Sequence, residues 1–126
     1  MSLEGTAAYD GLTDLPPLVE RAVDLARRLG FANSCRPEHG RLLHALAAGA
    51  GTIGETGTGC GVGLAWLASG ARPGTRLVTV EIDTERARHV DQARMHWLTH
   101  PALDAAELRL APDLAAHVAT RPFPAS

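Results

Sequence analysis

The chain has no lysine, and all twelve of its basic residues are arginines. That excludes a phosphate-binding loop of the Gly-Lys-Ser/Thr type, and it excludes chemistry through a lysine imine. Its two cysteines, Cys35 and Cys60, are far apart and sit in no CxxC pattern. A disulfide framework and a cysteine zinc site are therefore not expected, and both residues read as reduced thiols. No apolar run approaches the ~20 residues that cross a bilayer, and Met1-Ser2-Leu3-Glu4-Gly5 has neither a basic nor an apolar leader region. The expectation is a cytoplasmic protein that does not enter a membrane. Twelve basic residues scattered among fourteen acids, with a formal net charge of −2, offer no basic patch for a phosphate backbone, so nucleic acid is not an expected partner.

What is present is enough for one domain, 1–126. The chain is 45% hydrophobic over 126 residues, a length that buries a modest core. Residues 1–14 lack periodicity and read as an irregular arm from which Tyr9 and Leu12 can still pack. Pro16-Pro17 then opens an amphipathic helix with Leu18, Ala22, Leu25, Ala26 and Leu29 on one face, stopped by Gly30. Pro37 and Glu38 suit the first turn of a second helix, whose apolar face is Leu42, Leu43, Leu46 and Ala47 and which ends at Gly49. These helices make up 15–50.

The segment 51–90 changes character. Thr52-Ile53-Gly54-Glu55-Thr56 is short and strand-like, alternating glycines follow, and Val62 to Ala68 reads as a buried helix closed by Ser69-Gly70. After the turn Ala71-Arg72-Pro73-Gly74, the run from Arg76 to Asp83 is the strongest strand, of the kind found in buried parallel sheets. Strand, glycine loop, helix and strand make a βαβ unit. A helix from Thr84 to about Thr99 then crosses into 91–126 and ends before Pro101, and Ala106–Leu110 and Leu114–Thr120 read as an antiparallel hairpin about the turn Ala111-Pro112-Asp113.

A strand that enters glycines and leaves directly into a helix lets backbone approach a ligand closely. The dinucleotide fingerprint GxGxxG does not fit: started at Gly57 and Gly59 its third glycine falls on Val62, and started at Gly59 and Gly61 it falls on Leu64. A nicotinamide oxidoreductase is disfavoured on that register. Glu81 stands about 20 residues past the loop, the distance at which an acid in a βαβ unit reaches ribose hydroxyls. Two carboxylates, Glu55 before the glycines and Glu81 after them, suit a ligand without a pyrophosphate better than one with it.

Glu55-Thr56-Gly57-Thr58-Gly59-Cys60-Gly61, an acid followed by alternating glycines, resembles the first motif of the S-adenosylmethionine-dependent methyltransferases. Arg36-Pro37-Glu38-His39-Gly40-Arg41-Leu42-Leu43 resembles the N-terminal helices of their small-molecule O-methyltransferases, and Trp97 to Arg121 the family's terminal helix and final strand pair. The resemblance implies an α/β, Rossmann-like methyltransferase sheet, with S-adenosylmethionine as cofactor and a small molecule as methyl acceptor. It implies that Glu55, Gly57, Thr58, Gly59, Cys60 and Gly61 line the methionine side of the cofactor, and that Glu81, with Ile82, lies at the ribose.

The chain departs from the family after Glu81. One helix precedes the terminal hairpin, so the family's third, fourth and fifth strands have no counterpart, and the sheet is shortened. The helix near Thr84–Val90 runs into the end of a later one near Ala93–His100. The residues that align an acceptor belong to the absent part, and catalytic residues stay unassigned. A different reading is a non-catalytic cofactor-binding or oligomerising domain, a possible homodimer, in which exposed strand edges pair between chains. His96 and His100, with His89, have zinc-like spacing, but no acid completes the set; they read as a helix face, and no metal is expected. Cys60 reads as a small residue whose backbone N–H matters more than its thiol, and Trp66 and Trp97 as core.

Overall fold

Pro17 occupies the first helical position of α1 (Pro17–Arg28), where its missing N–H costs nothing. Glu20 in the first turn and Arg27 and Arg28 in the last complement the helix dipole. Gly30, at φ 68°, stops the helix. Its N–H donates to the Arg27 carbonyl at 3.2 Å, and the Phe31 N–H reaches back to the Ala26 carbonyl at 2.9 Å. This pair of bonds satisfies carbonyls that the helix end would otherwise leave open. The buried stripe is Val19, Ala22, Val23, Leu25 and Ala26. It is rotated from the expected face, so that Leu18 and Leu29 are only partly covered.

The computed structural model describes residues 4–56, 60–82, 98–99, 101, 104–111 and 114–120. Within it, α2 (Pro37–Ala47) corrects the sequence reading: Leu42 and Leu46 are 56% and 62% exposed. The reason is close approach through glycine. A Cβ on Gly40 would overlap the Trp66 indole, and a Cβ on Gly70 would overlap the His44 carbonyl. Because α2 meets α3 (Val62–Gly70) through these positions, the side that carries Leu42 and Leu46 turns away. Ala47 is buried, and Leu43 packs against the core from its edge.

The βαβ unit forms where the sequence places it. β1 (Thr52–Thr56) and β2 (Arg76–Ile82) pair in parallel, from Thr52 opposite Arg76 to Thr56 opposite Val80. The helix between them, α3, is apolar all round and buries Val62, Leu64, Ala65, Trp66, Leu67 and Ala68, as a helix covered on every side must. Among the described residues, two further strands, β3 (Asp104–Ala111) and β4 (Leu114–Thr120), give the order β1-β2-β4-β3. β4 runs antiparallel to both β2 and β3, with an irregularity between Arg109 and Ala111. The apolar run in β2 thus belongs to an inner strand with one parallel and one antiparallel neighbour. Apolar patterning reports that the faces of a strand are covered, and it does not report the direction of the neighbouring strands.

The N-terminal segment is not irregular throughout, which corrects the reading of residues 1–14 as an irregular arm. Ala7–Tyr9 is a short 3-10 helix, and Tyr9 is fully buried at the centre of the main core, while Leu12 is exposed. Thr6 ties the segment down: its N–H donates to the Ala32 carbonyl at 3.0 Å and its hydroxyl to the Phe31 carbonyl at 2.7 Å. Trp66 is core, 3% exposed. The helix expected between Thr84 and Thr99 lies outside the described residues apart from 98 and 99, and Trp97, His89, His96 and His100 lie outside them too.

Candidate functional site

Parallel pairing brings the carboxyl ends of β1 and β2 to one edge of the sheet, and α3 begins there. Open α/β sheets bind ligands at such edges. Glu55, the penultimate residue of β1, is half-buried and stands opposite Thr79 in the register. The Thr79 hydroxyl donates to Glu55 Oε1 at 3.3 Å. The other oxygen, Oε2, lies 2.7 Å from where a Cβ on Gly63 would stand. The carboxylate therefore sits over the first turn of α3, where unpaired helix N–H groups favour negative charge.

Gly61 is the N-cap of α3 and has φ 86°, a left-handed conformation in which a Cβ would be strained. Its neighbour Cys60 is 2% exposed and packs with Leu25, Ala26, Leu29 and Phe31 of the α1 end. Its side chain thus ties the residue before Gly61 to the end of α1 as a small apolar group. Gly57, Thr58 and Gly59 lie outside the described residues. Glu81 and Ile82 close β2 just past its pairing with β1, opposite Ala115 and Leu114 of β4. The backbone thus brings Glu55, Cys60, Gly61, Glu81 and Ile82 to the end of the sheet where α3 begins.

Two residues at this edge escape a reading by motif. Thr79 sits in an apolar strand, where threonine reads only as a good strand former. Gly63 follows a glycine loop and reads as part of it. The signal for both is the parallel register, which places position 79 beside position 55. Among the described residues, no group of three His, Cys, Asp or Glu is placed to hold a metal ion, and no helix is long and apolar enough to cross a membrane.

No protein-family model matches the chain. Curated proteins named "Putative O-methyltransferase" do, among them the following two. The one from Mycobacterium marinum is 33% identical over 120 residues, covering 94% of this chain and 49% of its own length. The one from Mycolicibacterium vanbaalenii is 41% identical over 76 residues, covering 59% of this chain and 31% of its own length. The chain is a relative of proteins that carry this name. It spans between about a third and a half of the length of these relatives. Among solved structures, an O-methyltransferase from Bacillus cereus in complex with S-adenosylhomocysteine aligns with 92% of this chain and 96% of its own, at 13% identity and a TM-score of 0.45.

Proposed function

We propose that the chain is the cofactor-binding portion of an S-adenosylmethionine-dependent methyltransferase that methylates an oxygen of a small molecule. The observation that carries this reading is the placement of the Glu55 carboxylate at the start of α3, between Thr79 and Gly63, at the carboxyl edge of a parallel strand pair. A fixed carboxylate there suits a ligand with an ammonium group. In this reading Glu55, Gly57, Thr58, Gly59, Cys60 and Gly61 face the methionine end of the cofactor. Glu81 accepts from the ribose hydroxyls and Ile82 lies beside it. The left-handed Gly61 and the Cβ-free Gly63 leave the backbone room that a bound nucleoside thioether needs.

The cofactor, when bound, supplies a methyl group on a sulfonium. The chain's own residues hold and orient the charged ends and keep water from them, which is what an in-line transfer requires of its protein. The whole chain, 1–126, acts as one domain, with helices over 15–50, the cofactor-binding unit over 51–90 and the terminal segment 91–126. The antiparallel β3–β4 pair corresponds to the family's terminal strands. Two cysteines that form no disulfide suit a reducing cytoplasm. A second copy of the chain is the partner that suits β1, which lies at an edge of the sheet among the described residues.

The test is calorimetric titration of the chain with S-adenosylhomocysteine, for the wild type and for Glu81→Ala. Binding that weakens by about tenfold or more in the variant supports the site, since one lost charge-assisted pair is worth about that much. A folded chain that takes up no S-adenosylhomocysteine defeats the reading. Sedimentation over a range of concentrations decides the homodimer.

A further inference from the structure

Thr79 is 2% exposed in the middle of β2, between Val78 and Val80 and two residues from the buried Leu77. A hydroxyl buried there costs free energy unless it is hydrogen-bonded. Its bond to Glu55 Oε1 crosses from one parallel strand to the next at 3.3 Å. On the far side of the same carboxylate, a Cβ at position 63 would stand 2.7 Å from Oε2 and 3.7 Å from Cδ. A threonine donor on one oxygen and an absent side chain beside the other thus bracket one carboxylate. We propose that Thr79 and Gly63 are positioning residues for Glu55, fixing the direction in which its carboxylate meets the ammonium end of a nucleoside ligand. The ammonium part of this inference rests on the proposed cofactor-binding function.

The two positions act differently. Thr79→Val removes the donor and keeps the branched shape, whereas Thr79→Ser keeps the donor. Gly63→Ala meets only the far end of a flexible side chain, so the carboxylate swings aside and the backbone of α3 stays in place. The loss then appears in recognition more than in folding.

Calorimetry with two ligands separates positioning from a merely structural role. S-adenosylhomocysteine carries the ammonium group, and 5′-methylthioadenosine has the same nucleoside thioether without it. Thr79→Val and Gly63→Ala should each weaken the first ligand by about five- to tenfold and leave the second within about twofold, with Thr79→Ser at wild-type affinity. Equal losses on both ligands, or a serine variant as weak as valine, overturn the proposal. A ligand-free measurement runs beside it: urea unfolding of Thr79→Val, Glu55→Ala and the double variant. Positioning predicts that the combined effect on the unfolding constant falls short of the product of the single effects by about threefold or more, and simple multiplication overturns it. Coupling in that cycle from a wild type that binds neither ligand upholds the bracketing of Glu55 and defeats the cofactor reading alone.

Discussion

The Tyr9 hydroxyl accepts the indole N–H of Trp66 at 2.9 Å and donates to the Cys35 carbonyl at 2.7 Å. One side chain from the N-terminal segment thus joins α3 to the loop before α2 in the middle of the core. Trp66 also meets the His44 ring edge-on at 6.1 Å, so the indole is held from two sides. Tyr9→Phe keeps the ring and removes the hydroxyl, which deprives a buried indole N–H of this acceptor and the Cys35 carbonyl of this donor. Such a loss costs about 1–3 kcal/mol. Urea unfolding followed by tryptophan fluorescence should show a lower midpoint with an unchanged slope, and a midpoint like the wild type's would remove the hydroxyl from the account of stability.

Burial of the same hydroxyl makes stability depend on alkaline pH. Desolvation pushes the Tyr9 phenol well above its ordinary 10.0 and raises the Cys35 thiol above its ordinary 9.0. In both cases the folded chain holds a proton that the unfolded chain has already released. Above the ordinary values the unfolded state binds fewer protons, so stability falls as pH rises. The contribution is complete below about pH 9. It should decline from there, first through Cys35 and then, above about pH 10, through Tyr9. Cys35→Ala should flatten the first part of the decline and Tyr9→Phe the second, read from urea midpoints between pH 7 and pH 11.

The parts of the fold that were legible are those in which a residue pattern answers to one local cause. Pro17 and Pro37 mark helix starts because proline lacks only an N–H that a first turn does not use, and Gly30 marks a stop because a left-handed residue ends the helix. β1, α3 and β2 follow from a change of period around glycines. Tyr9 was legible as a residue that packs, but the 3-10 helix that carries it was not, because it is held from outside by Ala32, Phe31 and Ser34. Leu42 and Leu46 looked like core because helical spacing cannot say which side of a helix meets its neighbour. The candidate site divides in the same way. Glu55 and Gly61 stand out by residue type, whereas Thr79 and Gly63 acquire meaning only when the strands are in register.

Close contact between α2 and α3 gives the glycines unequal weights. At Gly40 an added methyl would overlap the Trp66 ring, and at Gly70 it would overlap the His44 backbone carbonyl; at Gly54, in β1, it meets nothing within 4 Å. Gly40→Ala and Gly70→Ala should each destabilise by about 1–3 kcal/mol or more, as overpacked cores do. Gly70→Ala should be the more costly, because a carbonyl in a helix yields less readily than a ring. Gly54→Ala should be neutral or gain a few tenths of a kcal/mol by restricting the unfolded chain. Thermal melts of the three variants decide the order, and a destabilised Gly54→Ala beside a tolerated Gly40→Ala would contradict the helix contact.

The exposed side of α2 makes the last prediction. Leu42 and Leu46 are four residues apart, so they lie on one face, and both are more than half exposed while Leu43 and Ala47 pack inwards. In the isolated chain their apolar surface stays largely in contact with water, and replacing it removes little burial. Leu42→Gln with Leu46→Gln should therefore change the unfolding free energy by no more than about 0.5 kcal/mol, the ordinary range for surface substitutions. Ala47→Gln, on the packed side of the same helix, should cost several times more by forcing a long polar side chain into the core. Urea denaturation of the double variant and of Ala47→Gln compares the two faces directly. A large loss from the leucine pair at low protein concentration would mean that this face is covered within the chain, and that α2 does not turn Leu42 and Leu46 towards water.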